Sequence, residues 1–351
     1  MKALFNQTPF EIQQPSQFER YALDLFHFQY EHLEHYRDFC NHLKKDPSKV
    51  SHSSEIPFMP ISFFKSHKLL HPKTPTDFYF SSSGTTGQET SKHYVPFLKE
   101  YEASYRLAFQ EFYGSVTDYC VLALLPSYLE REGSSLIYMV ADLIEKSGHP
   151  QSGFYLDNPQ DLHRSLLNLE AAGTKTLLIG VSFALLDFVE QYPMALQHTI
   201  VMETGGMKGR RKEMIRASLH AQLCQGFGLS KIHSEYGMTE LLSQAYSSGD
   251  GVFKSPSWLK IYIRDTEDPL SLVGDHKTGG VNIIDLANTY SCAFIATQDL
   301  GKTFADGTFT ILGRFTMLLL GAVIFWCPKR AMPPGVLILK TKNKVVFLSP
   351  L

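Results

Sequence analysis

The chain has no uninterrupted apolar run of the roughly 18 residues that a membrane-crossing helix requires, so no membrane span is expected. Met1-Lys2-Ala3-Leu4-Phe5-Asn6-Gln7 lacks the apolar core of a secretory leader, and a cytoplasmic protein is the expectation. Cysteine is scarce. The five present, Cys40, Cys120, Cys224, Cys292 and Cys327, are odd in number, scattered and free of C-x-x-C spacing, which argues against a disulfide framework and against a zinc site. Basic tracts are missing too. With 33 Lys and Arg against 35 Asp and Glu, a formal net charge of −2, the chain has no long-range field to gather a polyanion, and no nucleic-acid partner is expected. No internal repeat or low-complexity linker divides the sequence. What it does have is bulk: 351 residues, 44% of them hydrophobic, exceed one typical domain and can bury a sizeable core.

Residues 16–43 place Phe18, Leu23, Phe26, Tyr30, Leu33 and Tyr36 at mostly helical spacing after Pro15-Ser16, which predicts a helical segment. Residues 55–70 are apolar and punctuated by proline, and read as an arm docked on the main body. Strands and helices then alternate. Residues 120–125 read as a buried strand, 134–144 as a helix, 175–180 as a strand, 183–190 as a helix, and 199–202 and 280–284 as further strands. This alternation predicts an α/β sheet with helices on its faces.

Ser82-Ser83-Gly84-Thr85-Thr86-Gly87 follows the extended run Asp77-Phe78-Tyr79-Phe80 and crowds hydroxyls and glycines into a turn. Such a turn can hold phosphate, because glycine lets the backbone approach an anion while N–H and hydroxyl groups donate to it. It is neither a Walker loop, since Gly87 is followed by Gln88-Glu89, nor a G-x-G-x-x-G dinucleotide turn. A plain polar surface turn has the same composition, so a second segment must decide.

That segment is Ser234-Glu235-Tyr236-Gly237-Met238-Thr239-Glu240. Its residue types suit nucleotide chemistry: Thr239 can donate to a phosphate oxygen, Glu240 can hold Mg²⁺, and Tyr236 offers a flat face to adenine. Taken alone, the segment could also be a turn that opens a helix with Thr239 as its cap. Together the two segments resemble the acyl-adenylate-forming superfamily. Longer stretches are similar to one branch of it, the acyl-protein synthetases of the LuxE type. These are Ile56-Pro57-Phe58-Met59-Pro60-Ile61 with Phe63-Phe64-Lys65, Ser83-Gly84-Thr85-Thr86-Gly87-Gln88, Glu203-Thr204-Gly205-Gly206-Met207-Lys208-Gly209, Tyr236-Gly237-Met238-Thr239-Glu240-Leu241 and Leu312-Gly313-Arg314-Phe315. The resemblance runs from about residue 16 to Phe315.

The resemblance implies an ANL-like large domain, α/β with mixed and parallel sheets flanked by helices, and a small C-terminal domain that is vestigial or lost. It divides the chain into a helical N-terminal arm, 1–75, an adenylate-forming domain, 76–315, and an atypical tail, 316–351. It also implies ATP- and Mg²⁺-dependent activation of a fatty acid or other carboxylate as acyl-AMP. The acyl group then passes through an enzyme cysteine to an acceptor protein such as a reductase or carrier. By position, Gly205 and Gly206 approach adenine, while Asp299 binds both ribose hydroxyls, as a carboxylate with several lone pairs can. Arg314 lies near the ribose or the phosphates, and Glu240 is the metal ligand. Many relatives carry a lysine three residues beyond the last loop glycine, where this chain has Thr90. Lys92 and His93 are the nearest cationic candidates. Ser127 and Tyr128, following a strand, are candidates for a carboxylate pocket, or else belong to an ordinary surface loop.

A rival reading comes from Gly180-Val181-Ser182-Phe183-Ala184, which nearly matches the nucleophile elbow of α/β-hydrolases, with His198, His220, His233 and His276 downstream. It leaves both the hydroxyl-rich loop and the Tyr236-to-Glu240 motif unexplained. A binding module without turnover is the third reading, and the tail gives it weight. Family members continue past Gly-Arg-Phe with Asp-Asn and then an Arg-Gly-Cys bearing the acyl-accepting thiol. Here Thr316-Met317-Leu318-Leu319-Leu320-Gly321-Ala322-Val323-Ile324 follows, and Cys327 stands in an unlike Trp-Cys-Pro context. Restoring one G before the Thr316 codon permits Asp-Asn and then Arg-Gly-Cys in the other frame, which points to a frameshift after Phe315. Adenylation can survive such a change while thiol transfer fails. Cys292 reads as a buried strand residue rather than a substitute nucleophile.

Overall fold

The computed structural model describes residues 7–82, 90–126, 133–205, 214–314, 337–341 and 344–348, the last two as backbone only. Ser83, Gly84, Thr85, Thr86, Gly87, Ser127, Tyr128, Gly206 and Cys327 lie outside these residues, as does the junction after Phe315. No helix among the described residues is long and apolar enough to cross a membrane.

The chain forms two compact units. The first comprises Tyr79–Lys92 and Phe97–Pro256. Its sheet runs in the order Gly153–Phe154, Cys120–Leu124, Thr176–Val181, Thr199–Thr204, His233–Tyr236, Ala245–Ser247. All neighbours are parallel except the last pair. Every residue of Cys120–Leu124 and Thr176–Val181 is buried, as expected of strands covered on both faces, which is why they read as unbroken apolar runs. The helices Ser135–Ser147, Pro159–Ala171, Ser182–Gln191 and Arg216–Phe227 supply the crossovers. Local chemistry sets their ends: Ser134 Oγ accepts from the Ile137 N–H at the start of Ser135–Ser147, and Gly148, at φ 63°, turns the chain out of it. The chain steps outward from Cys120–Leu124 to Gly153–Phe154 and then returns to Thr176–Val181. Strand order therefore reverses beside Cys120–Leu124, and open α/β sheets bind ligands at the carboxyl ends of strands around such a point.

The second unit comprises Met1–Phe78, His93–Pro96 and Ser257–Leu351. It carries antiparallel strands in the order Leu259–Arg264, Gly279–Asp285, Phe294–Thr303, Phe309–Arg314. The proline-punctuated arm docks here: Met59–Pro60 pairs in parallel with Phe294–Thr303, with Met59 opposite Ile295. The N-terminal helix is pinned by Gln29, fully buried and fully used. Its Nε2 donates to Asn288 O at 2.8 Å and Thr289 O at 3.0 Å, and its Oε1 accepts from Ala293 N at 3.0 Å. The N-terminal helices and the antiparallel sheet thus belong to one compact unit. The helical segment is also interrupted, into Pro15–His32 and Glu34–His42, at extended Leu33. Arg37 Nη1 donates to Glu31 O at 3.1 Å, occupying a carbonyl near that break. Further on, Leu337–Thr341 and Lys344–Leu348 pair as an antiparallel hairpin.

Candidate functional site

The carboxyl ends of Thr199–Thr204 and His233–Tyr236 carry the chemistry-bearing residues of the first unit. Gly205 follows directly on Thr204 with φ 68°, a conformation that side chains other than glycine's adopt at a cost. The penultimate residue of the strand Thr199–Thr204 is a buried acid. Glu203, 2% exposed, accepts from Ser182 Oγ at 3.2 Å and Arg216 Nε at 3.0 Å, and its Oε1 lies 3.6 Å from His220 Nε2. Burial pushes this carboxyl up, but His220, Arg216 and Ser234 outweigh it, and the pKa falls below the ordinary carboxylate value. Glu203 therefore stays ionised and ties two helices to the strand end that feeds Gly205. An acid near the end of an apolar strand is the sequence signal for it.

The motif beginning at Ser234 leaves its strand in a turn, with Leu241 N donating to Met238 O at 3.1 Å, and the next element is the strand Ala245–Ser247. No helix opens there, so Thr239 is not a helix cap. Glu240 is buried at 6% exposure, and Tyr236, at 9%, sets its ring edge-on to Phe253 with centroids 5.9 Å apart. Glycine at 237 has a concrete reason. A Cβ there would stand 2.5 Å from Glu235 Oε1. Glu235 was not singled out from the sequence, yet it is buried, accepts from Thr204 Oγ1, and has its pKa pushed up to about 7 by burial. Its carboxyl therefore takes up a proton more readily than an ordinary glutamate.

At the base of the hydroxyl-rich loop, Ser82 N donates to Ser91 O at 3.1 Å and Ser91 N donates to Ser82 Oγ at 2.9 Å. Ser82 Oγ thereby accepts from backbone while its proton stays available to donate. Nearby, Ser81 N donates to Gly133 O at 2.8 Å. Behind the loop base, the Phe80 ring packs edge-on to Tyr101 with centroids 5.1 Å apart. Lys92 is exposed, its ammonium 5.0 Å from the Tyr79 ring centroid. His93 has a different setting. It is fully buried in the second unit, with Nε2 3.1 Å from Asn288 Oδ1 and its ring edge-on to Phe64, which makes it a core residue.

In the second unit, Asp299 and Arg314 stand opposite each other across paired strands, with Nε 3.5 Å from Oδ1. Asp299 is 8% exposed, while the Arg314 side chain is 80% exposed. Among the described residues no group of three or more His, Cys, Asp or Glu stands ready to hold a metal ion.

Ser182 does open a helix after a strand, as an elbow would, but it is 3% exposed and its hydroxyl donates to Glu203. An ionised carboxylate of lowered pKa is a poor base for a serine. The four cysteines among the described residues fit no nucleophile either. Burial pushes Cys40 and Cys292 up to about 12, and Cys120 and Cys224 are also raised by burial, the reverse of what thiolate chemistry needs.

Comparison with solved structures identifies the fold. The chain aligns with 2-hydroxyisobutyryl-CoA ligase bound to 2-HIB-AMP and CoA at a TM-score of 0.59 and 12% identity, covering 86% of this chain and 71% of that one. ATP-bound MatB from Rhodopseudomonas palustris aligns at 0.50 with 19% identity, covering 67% of this chain and 47% of MatB. The chain thus matches about half of the MatB length. The fold is that of the adenylate-forming enzymes. Within that class the chain is similar to the acyl-protein synthetases of the LuxE type. Residues 2–94 match the family described as acyl-protein synthetase, LuxE. The long-chain-fatty-acid--luciferin-component ligase of Aliivibrio fischeri is 25% identical over 311 residues, covering 81% of this chain and 78% of that protein.

Proposed function

We infer that this protein activates a carboxylic acid with ATP. A carboxylate oxygen bonds to the α-phosphorus, the bond to the pyrophosphate oxygen breaks, and acyl-AMP forms as pyrophosphate leaves. The observation that carries this reading is the meeting of Gly205, Glu235 and the Tyr236-to-Glu240 turn at the carboxyl ends of adjacent parallel strands, in a chain of adenylate-forming fold. Ser82, Ser83, Gly84, Thr85, Thr86 and Gly87 hold the triphosphate, with Lys92 as the nearest cation. Gly205, Gly206, Gly237 and Tyr236 accommodate the adenine. Thr239 donates to the α-phosphate, where negative charge grows as the bond to pyrophosphate breaks. Glu240 holds Mg²⁺, which when bound offsets charge on the triphosphate. Asp299 and Arg314 take the ribose side. His93 has no part in this scheme.

The name of the A. fischeri relative supports a long-chain fatty acid as the carboxylate, and the description of the matched family, acyl-protein synthetase, supports a protein as the acyl acceptor. Transfer through a thiol has no support from Cys40, Cys120, Cys224 or Cys292. The experiment is pyrophosphate exchange into ATP, run across carboxylic acids of graded chain length. Exchange that requires a carboxylate and peaks at long chains supports the reading. Absence of exchange with every acid overturns it and leaves a binding module.

A further inference from the structure

Arg264 closes the strand Leu259–Arg264 and is buried, 8% exposed, in the second unit. Its Nη1 donates to Val281 O and to Asn282 Oδ1, each at 2.8 Å, and its Nη2 donates to Thr297 O. Gly280 is the Cα partner of Arg264, and a Cβ there would stand 2.4 Å from Arg264 Cζ, so glycine leaves the space in which the guanidinium lies. Strand register slips between Gly280 and Asn282, which places Val281 at a bulge. Thr297 Oγ1 donates to the same Val281 O at 2.9 Å and accepts from Asp299 N at 3.1 Å. A second slip, between Leu300 and Gly301, follows directly after Asp299. Asp299 therefore sits between ladder irregularities, its N–H held by the Thr297 hydroxyl. The carbonyl that orients this hydroxyl is shared with Arg264.

We propose that Arg264 is a positioning residue: through Val281 O and Thr297 it fixes the backbone of Asp299 so that its carboxylate meets both ribose hydroxyls of the nucleotide. The inference rests on the ATP reading above. A planar fork suits acceptors lying in different directions, and a lysine ammonium does not reproduce it.

The test uses the full-length protein and equilibrium titration with Mg²⁺-ATP and with Mg²⁺-2′-deoxy-ATP, comparing dissociation constants. Asp299→Asn sets the baseline by reducing the wild-type preference for ATP. Arg264→Lys is expected to reduce that preference roughly tenfold, the size of one lost hydrogen bond to a charged group. Thr297→Val, which spares the guanidinium, is expected to move it the same way, and it decides the matter if Arg264→Lys does not fold. The double variant Arg264→Lys/Asp299→Asn should show the preference of Asp299→Asn alone. A merely structural role would weaken both nucleotides equally and leave the ratio unchanged. If Asp299→Asn lowers the preference while Arg264→Lys and Thr297→Val keep it, the positioning role is overturned. If Asp299→Asn itself keeps it, the ribose role of Asp299 is wrong, and the proposal goes with it.

Discussion

Gly237 and Glu235 are bound together by space: the position a Cβ would take on Gly237 lies 2.5 Å from Glu235 Oε1, inside any real contact distance. Glu235 cannot move aside freely, because it is buried and accepts from Thr204 Oγ1. Gly237→Ala should destabilise the protein by about 1–3 kcal/mol, the usual cost of forcing a group into filled space. Adding Glu235→Ala should return part of that loss. Chemical denaturation of the single and double variants checks it, and strict additivity would contradict the contact.

The same carboxyl makes stability depend on pH. With a folded pKa near 7 against an ordinary 4.5, the native state holds a proton that the unfolded chain releases. Stability from this residue is complete below about pH 4.5 and is lost as the pH rises toward 7, on the order of 3 kcal/mol if the whole shift is expressed. Relative to Glu235→Gln, the wild type should lose melting temperature between pH 5 and 7 and then run parallel. A gap independent of pH would contradict it.

Much of the first unit was legible in the sequence because doubly covered parallel strands leave a local mark. Residues 120–125, 175–180 and 199–202 are apolar runs bounded by polar or glycine positions, and each is a strand. The second unit was less legible, since its core joins segments far apart in the chain. Nothing local in Met59–Pro60 announces pairing with Ile295 and Ala296, or in Gln29 announces bonds to Asn288 and Ala293. The same holds at the site. Asp299 and Arg314 were singled out and lie across one strand pair, but the core place of His93 and the roles of Glu203 and Arg264 depend on partners that only the fold brings near.

Ser182 offers a direct contest between readings. Its hydroxyl is one of several groups on Glu203, so Ser182→Ala should cost roughly 1 kcal/mol in stability and change carboxylate-dependent exchange by less than about threefold. A fluorophosphonate should leave Ser182 unlabelled. Labelling at Ser182 together with loss of activity in the folded variant would favour the hydrolase.

The thiols make a further prediction. Buried and with raised pKa values, Cys40 and Cys292 should resist alkylation in the native protein and carry no acyl group after incubation with ATP and a fatty acid. Peptide mapping of hydroxylamine-released acyl chains checks this. An acyl thioester on either residue would contradict the assignment.

The most direct test of the account is the comparison of Glu240→Gln with the wild type in carboxylate-dependent pyrophosphate exchange. Glutamine keeps the size of the side chain and removes the charge that Mg²⁺ needs, so exchange should fall at least about a hundredfold, as for loss of a main electrostatic contact, while the melting temperature changes little. A folded Glu240→Gln variant that exchanges pyrophosphate at the wild-type rate would contradict the assignment of this turn as the ATP and metal site.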